Sequence, residues 1–197
     1  MVVRKFEAIA TDFKLILASK SPRRQQLLKE LGLQFEIRTK DTDESFPKHL
    51  KAQEIPLYLC RKKADAFTKE LKEKELVITS DTIVWVQNKV LNKPENAVEA
   101  TDMLSLLSGK MHQVYTAVCL QSLTKTETFF AETKVWFKPL TSYEIDFYVN
   151  HYRPFDKAGA YGAQEWLGYI AIEKIEGTYF NVMGLPLYEL YTALLHF

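Results

Sequence analysis

Residues 15–32 read LILASKSPRRQQLLKELG, a short apolar run followed at once by the start of a helix. Ser21 suits the N-cap position, and Pro22 suits the first helical turn, where no backbone N–H is needed. Leucines then recur on one face of the helix before Gly32, a residue type favoured just after a helix end. The stretch therefore predicts a βα unit and an α/β fold.

Arg23 and Arg24 place two cations on the first turn of this helix, where the helix dipole already contributes about half a positive charge. Backbone N–H groups, the hydroxyls of Ser19 and Ser21, and guanidinium groups at one helix start suit a bound phosphate. The alternative is two solvated arginines beside a well-capped helix. This stretch alone leaves both interpretations open.

The charge balance argues against a broad nucleic-acid surface. The chain has 197 residues with 26 Lys and Arg against 25 Asp and Glu, so its formal net charge is +1. Proteins that track the phosphates of DNA or RNA carry a strongly basic face. We therefore expect no DNA or RNA partner, and any bound anion should be small and local.

Compartment signals point to the cytoplasm. The first 14 residues, MVVRKFEAIATDFK, lack an apolar core of signal-peptide length. No later run approaches the roughly 20 apolar residues of a membrane span, so we expect no membrane association. Cys60 and Cys119 form no close C-x-x-C pair, which favours buried reduced thiols over a metal site or a disulfide.

Two acidic positions stand out. Asp81 interrupts an apolar run over residues 76–86, and a carboxylate in such surroundings loses hydration, which suits a general base or a metal ligand. A strand-end aspartate with local backbone hydrogen bonds is the alternative. Glu44 ends an acidic cluster over residues 41–44, which is either a solvated turn or a source of oxygen ligands for a hard cation.

Further cations accompany these acids. Lys63 lies beside the apolar stripe of a predicted helix, where it either extends to water or pairs with a phosphate. Lys93 precedes a proline, is expected to be extended, and stands at a second helix start. His112 is expected to be a surface residue at a strand end.

The last third of the chain is rich in glycine. Residues 156–165 read DKAGAYGAQE, a predicted loop in which small residues permit close approach while Lys157 and Gln164 supply polar groups. Tight packing without a ligand is the alternative. Residues 169–175 and 179–183 are predicted to form a hairpin, and Thr141 with Glu144 predicts a capping box.

Cations at helix starts together with carboxylates suit phosphate chemistry on a nucleotide. Neither G-x-x-x-x-G-K-[ST] nor G-x-G-x-x-G occurs. Eight segments follow in order from Leu15 onward: LASKSPRRQQLLKELG, DTDES, LCRKKA, SDTIV, NKP, LSGKMHQVYTAV, DKAGAYGAQ and NVMGLPL. In these segments the chain resembles the Maf family of nucleoside triphosphate pyrophosphatases.

The resemblance implies a fold and an activity. The fold would be a Maf-like, ITPase-like α/β fold with an elongated mixed β-sheet flanked by helices. Residues 1–197 would form a single domain whose two lobes surround a central cleft, commonly in a homodimer. The activity would cleave a nucleoside triphosphate between its α and β phosphates with Mg²⁺ or Mn²⁺.

The resemblance also implies residue roles. Asp81 would accept the proton of the attacking water, and Glu44 would be a second carboxylate, so that both would hold the metal. Lys63 and Lys93 would be catalytic cations on the phosphates. The remaining implied substrate ligands are Ser19, Arg23, Arg24, Thr82, Lys157 and Gln164.

Base preference would follow from three of these ligands. Arg23, Thr82 and Gln164 are similar to the residues of the pyrimidine-preferring group, which implies a dTTP/UTP pyrophosphatase. Arg24 would mainly hold phosphate. Asn92 and Glu165 depart from the glycines usual in the family, and Glu165 could shift base preference. The alternatives are the methylguanosine-triphosphate-preferring group and a non-catalytic nucleotide-binding regulator of cell division.

Overall fold

The computed structural model describes residue 9 and residues 12–197. Its strands are β1 (Lys14–Leu17), β2 (Glu36–Ile37), β3 (Glu75–Val86), β4 (Lys89–Leu91), β5 (Met111–Gln121), β6 (Thr126–Phe137) and β7 (Ile172–Glu176). Its helices are α1 (Pro22–Glu30), α2 (Glu54–Asp65), α3 (Ala97–Leu107), α4 (Ser142–Tyr152), α5 (Trp166–Ala171), α6 (Tyr179–Val182) and α7 (Leu187–His196), with a 3₁₀ turn at Ala158–Ala160. Within this part of the chain, no helix is both long enough and apolar enough to cross a membrane.

The strands form one mixed sheet in the order β2-β1-β3-β5-β6-β7, with β4 paired to β3. Strand β1 runs parallel to β2 and to β3, as expected when a helix connects successive strands. Strands β4 and β7 run antiparallel to β3 and β6. The predicted α/β class with a mixed sheet is confirmed.

The chain divides into two compact units. The first contains Met1–Asp81, Thr116–Ala131 and Gly184–Phe197, and the second contains Thr82–Tyr115 and Glu132–Met183. In the second unit, α3, α4 and α5 supply apolar residues to one large buried cluster. The arrangement of two lobes around a cleft in a single domain stays a prediction.

The first unit buries both cysteines. Cys60 on α2 and Cys119 on β5 pack in one small apolar cluster, and both are free thiols. Burial raises the pKa of each thiol, that of Cys119 to about 12. The prediction of buried reduced thiols is confirmed.

Local signals located the helix starts well. The Ser21 side chain accepts a hydrogen bond from the Arg24 backbone N–H, and Pro22 is the first helical residue. Gly32 follows the helix with φ of 83°, a left-handed conformation that glycine adopts without strain. The capping box of Thr141 and Glu144 at the start of α4 is also present.

The predicted hairpin over residues 169–183 is wrong. Tyr169 lies in α5, residues 172–176 form β7, and residues 179–182 form the short helix α6. Strand β7 pairs with β6, so its partner is remote in sequence. A Cβ atom on Gly168 would lie 2.2 Å from the carbonyl oxygen of Ala163, and this close backbone packing accompanies helix α5.

The expected surface position of His112 is also wrong, since only 1% of the residue is exposed. Its Nε2 lies 2.8 Å from the hydroxyl of Tyr161, and its ring meets the edge of Phe137 at 4.9 Å. Tyr161 comes from the glycine-rich segment, so the partner that makes burial possible lies 49 residues away.

This burial predicts a pH-dependent stability. Burial lowers the pKa of His112 to about 3, whereas an unfolded histidine titrates near 6.5. Below pH 6.5 the unfolded chain therefore binds a proton that the folded chain does not. We expect His112 to reduce the free energy of unfolding by roughly 1.4 kcal/mol for each pH unit below 6.5, until about pH 3.

Urea unfolding at pH 7.5, 6.0 and 5.0 measures the slope. His112→Gln should flatten it, while His49→Gln, at an exposed position, should leave it as in the wild type. Equal slopes in wild type and His112→Gln would contradict the prediction.

Candidate active site

Strand β3 brings a run of polar side chains into the protein interior. Thr79, Ser80 and Asp81 are 0%, 1% and 8% exposed. The Thr79 hydroxyl donates to the Cys60 carbonyl at 2.7 Å, and the Ser80 hydroxyl donates to the Gly184 carbonyl at 3.2 Å. Backbone groups thus satisfy the first two side chains, whereas the Asp81 carboxylate meets a cation. The strand continues through these residues, so the predicted interruption is one of polarity and not of backbone structure.

Lys63 on α2 joins the two carboxylates predicted from the sequence. Its ammonium lies 2.5 Å from Oδ1 of Asp81 and 2.9 Å from Oε1 of Glu44. The Lys63 and Asp81 side chains are 17% and 11% exposed, while that of Glu44 is 50% exposed. The sequence left two roles open for Lys63, contact with water or contact with phosphate. In the structure its ammonium lies between two carboxylates, of which that of Glu44 is half-exposed.

The neighbouring lysine fixes the loop that carries Glu44. Lys62 lies 3.0 Å from Oδ2 of Asp43 and donates to the Ser45 carbonyl at 3.1 Å. Hydrogen bonds from the Ser45 hydroxyl and backbone N–H, with a further bond from Lys62, lower the pKa of Asp43 to about 2. Two successive lysines of one helix thus hold two successive acids of one loop.

The start of α1 lies against the same segment of β3. Arg24 donates from Nε to the Gly184 carbonyl and from Nη1 to the Ser80 carbonyl, each at 2.8 Å. Burial lowers the pKa of Arg24, and the negative charge of Asp81 partly opposes that shift. Ser19 is buried, and its hydroxyl accepts from the backbone N–H of Ser21. Arg23, like Arg24, is half-buried.

The second unit contains another buried ionic cluster. The Lys157 ammonium lies 2.7 Å from Oδ1 of Asp156 and 3.1 Å from Oε1 of Glu165. The Tyr148 hydroxyl donates to Oε2 of Glu165 and accepts from the Gly162 backbone N–H at 3.0 Å. Burial, and then the bond to Glu165, raise the pKa of Tyr148, so this hydroxyl stays a donor at working pH.

Three further predicted ligands also belong to the second unit. Gln164 is half-buried, and its Oε1 is buried without a hydrogen-bond partner among the described residues. The Tyr169 hydroxyl donates to the Gln164 carbonyl, which leaves the side-chain amide for other contacts. Lys93 is exposed, and Thr82 is half-buried. The structure therefore brings Glu44, Lys63 and Asp81 into direct contact. The roles of these three residues, like those of the other candidates, stay predictions.

The carboxylates of Asp81 and Glu44 are the candidate ligands for a divalent metal. No group of three or more His, Cys, Asp and Glu side chains within residues 12–197 is placed to hold an ion. Mg²⁺, however, is commonly bound by one or two carboxylates together with substrate phosphates and water. Asp81 and Glu44 already converge on one cation, the Lys63 ammonium, so their oxygens fit a hard divalent metal.

Comparison with known proteins identifies the family. The model of the Maf-like protein family matches residues 14–197. The chain belongs to the Maf family. A relative from Flavobacterium johnsoniae, named dTTP/UTP pyrophosphatase, is 52% identical over 182 residues, covering 92% of this chain and 94% of the relative. Another of the same name from Flavobacterium psychrophilum is 47% identical over 196 residues, covering 100% and 98%.

The likeness to a solved structure is more distant. A nucleoside-triphosphatase / dITP/XTP pyrophosphatase from Mycobacterium abscessus has a TM-score of 0.42 and 13% identity, covering 64% of this chain and 74% of that one. Membership of the Maf family therefore rests on the sequence matches.

Sequence reasoning missed several supporting residues. Lys62 and Asp43 pair across 19 residues, and Tyr148 reaches Glu165 across 17. No short-range pattern marks such pairs. The sequence offered one signal, the carboxylate of Glu165 at the end of a segment rich in small residues.

Proposed function

We propose that this member of the Maf family is a nucleoside triphosphate pyrophosphatase that hydrolyses dTTP and UTP to the monophosphate and pyrophosphate. The arrangement of Asp81, Lys63 and Glu44 is the observation that carries the proposal. The relatives named dTTP/UTP pyrophosphatase support the same activity and the same pyrimidine substrates. Modified pyrimidine triphosphates of similar shape are included in the substrate class.

In the proposed reaction, Asp81 accepts a proton from water as the water oxygen bonds to a phosphorus of the α–β anhydride. The bond from that phosphorus to the bridging oxygen breaks, and its electron pair leaves with the departing phosphate group. Lys63 holds the Asp81 carboxylate in place through the 2.5 Å contact. A carboxylate fixed in this way presents its second oxygen to water.

Positive charge on the phosphates comes from several groups. We propose that Lys63, Lys93 and Arg24 neutralise phosphate oxygens as negative charge shifts to the leaving group. Asp81 and Glu44 would hold Mg²⁺ or Mn²⁺, and the bound metal would further neutralise the phosphates.

Substrate choice is assigned to a different set of residues. Arg23, Thr82 and Gln164 are proposed to select the pyrimidine base, and Ser19 is proposed to contribute to the phosphate site. The buried Oε1 of Gln164 is a hydrogen-bond acceptor. The N3–H group of thymine or uracil would donate a hydrogen bond to it.

A nucleotide panel tests the proposal. Purified protein with Mg²⁺ or Mn²⁺ is expected to release pyrophosphate, and not orthophosphate, from dTTP and UTP faster than from dCTP, dATP, dGTP or 7-methyl-GTP. The nucleotide product should be the monophosphate by chromatography. Fastest turnover of 7-methyl-GTP would assign the other substrate group, and no turnover of any nucleotide with either metal would overturn the enzymatic proposal.

The homodimer implied by the resemblance and the cytoplasmic location expected from the sequence are proposed alongside this activity. Sedimentation at several protein concentrations tests the first, and fractionation of cells that express the chain tests the second.

A further inference from the structure

Both oxygens of the Glu165 carboxylate are bound by protein groups. One oxygen lies 3.1 Å from the Lys157 ammonium, and the other accepts from the Tyr148 hydroxyl. The Glu165 side chain is 22% exposed, whereas that of Lys157 is 8% exposed. A carboxylate with both oxygens bound to protein groups stabilises the local structure. Its function therefore depends on the segment that these contacts hold in place.

Lys157 already has its charge compensated in this cluster. Its ammonium faces the carboxylates of both Asp156 and Glu165. In the Lys63 cluster a bound metal would compensate the carboxylates when that lysine contacts phosphate, but no metal is proposed beside Glu165. A phosphate that took the Lys157 ammonium would therefore leave a partly buried carboxylate unpaired, and unpaired charges in such positions are costly. The two carboxylates that pair with Lys157 therefore disfavour its direct contact with a substrate phosphate.

The cluster ties together one segment, residues 156–165. Lys157 lies near its beginning and Glu165 at its end, while the Gly162 backbone N–H in its middle donates to Tyr148 at 3.0 Å. A Cβ atom on Gly162 would lie 2.9 Å from Cδ of Glu165, so this glycine permits the carboxylate to sit against the backbone. Gln164 immediately precedes Glu165 and is carried by the same segment.

We propose that Glu165 is a positioning residue for base selection, which it serves by holding residues 156–165 in the conformation that presents the Gln164 amide. Lys157 then supports substrate binding through Glu165 and not through contact with phosphate. The inference rests on the proposed nucleotide-binding function.

A double-mutant cycle separates positioning from phosphate contact. The probe is α,β-methylene-dTTP, which resists cleavage, and its Kd is measured by calorimetry. Lys157→Met strands the Glu165 carboxylate, so we expect the Kd to rise roughly 10- to 100-fold. Glu165→Gln should raise it by about 3- to 10-fold, and the double variant should bind tighter than Lys157→Met alone.

Contact with phosphate predicts the opposite signs. If Lys157 binds phosphate directly, Glu165→Gln frees the ammonium and strengthens binding, and the double variant is as weak as Lys157→Met. Either of these results would overturn the proposal.

Base selection supplies a readout that general loss of structure would not give. Glu165→Gln should lower the ratio of kcat/KM for dTTP over dCTP, with kcat for dTTP within about threefold of wild type because Asp81 is untouched. The Kd of inorganic pyrophosphate, which has no base, should stay unchanged. An unaltered dTTP to dCTP ratio, or equal weakening of pyrophosphate, would refute base positioning.

The tyrosine offers a matched control. Tyr148→Phe removes only the hydroxyl that links Glu165 to Gly162 and should repeat the effects of Glu165→Gln. Tyr152→Phe changes a ring stacked on Tyr148 at 4.9 Å on the same helix and should bind the analogue like wild type. Equal binding by Tyr148→Phe and wild type would remove the tyrosine from the network.

The calorimetric arm does not depend on turnover. A wild-type protein that binds the analogue but hydrolyses no nucleotide would overturn the proposed enzymatic function, and the cycle would still decide how Lys157 and Glu165 act.

Discussion

Asp81→Asn is expected to lower kcat for dTTP by roughly 10²- to 10⁴-fold, since an amide cannot accept the proton of the attacking water. Its side-chain oxygen can still accept from Lys63, which lies 2.5 Å from Oδ1 in the wild type. The cluster should therefore keep its geometry. Pyrophosphate release under saturating substrate measures the loss.

Nucleotide binding distinguishes a lost base from a damaged site. The Kd of α,β-methylene-dTTP for Asp81→Asn should stay within about tenfold of wild type, because the phosphate-facing cations are retained. Asp102→Asn, at an exposed position on α3, serves as the control and should keep full activity. Turnover by Asp81→Asn at the wild-type rate would exclude Asp81 as the base.

Lys63→Met has the second large expected effect. Without the ammonium, Asp81 and Glu44 face each other as like charges, and the half-exposed Glu44 should move away. The phosphates also lose a cation. We expect kcat/KM for dTTP to fall by roughly 10²-fold or more, a loss typical of removing one electrostatic contact to a transition state.

Metal binding provides an independent measurement on the same variant. The Lys63 ammonium and a divalent cation held by the same two carboxylates would repel each other, so Lys63→Met should bind Mg²⁺ more tightly by calorimetry without substrate. Arg61→Met, on the exposed face of the same helix, loses only a surface pair with Asp65 and should match wild type in both assays. Weaker Mg²⁺ binding by Lys63→Met would contradict a metal site on these carboxylates.

The sequence predicted features that depend on near neighbours. Ser21, Pro22 and Gly32 mark the ends of α1 because capping involves groups within a few residues. The buried carboxylate at Asp81 followed from the apolar residues on both sides of it in one strand. The family motifs then extended these local predictions to roles that no single segment implies.

The features that the sequence did not predict depend on contacts between residues far apart in the chain. His112 is buried because Tyr161 meets it from 49 residues away, and a strand-end histidine shows no such partner in its own segment. Residues 172–176 pair with β6, which lies far from them in the sequence, and not with the stretch that follows them. The expected hairpin therefore does not form. Lys63 shows the same limit, since its two carboxylates lie 18 and 19 positions away in opposite directions along the chain.

The buried thiols have a practical consequence for labelling. Because Cys60 and Cys119 are fully enclosed and their pKa values are raised, maleimide reagents should leave both unmodified in the folded protein. A cysteine introduced at Val98, which is 71% exposed on α3, would then carry a fluorophore without replacement of either native residue. Fluorescence measurements of nucleotide binding can thus use a single labelled site in a protein that keeps both native cysteines.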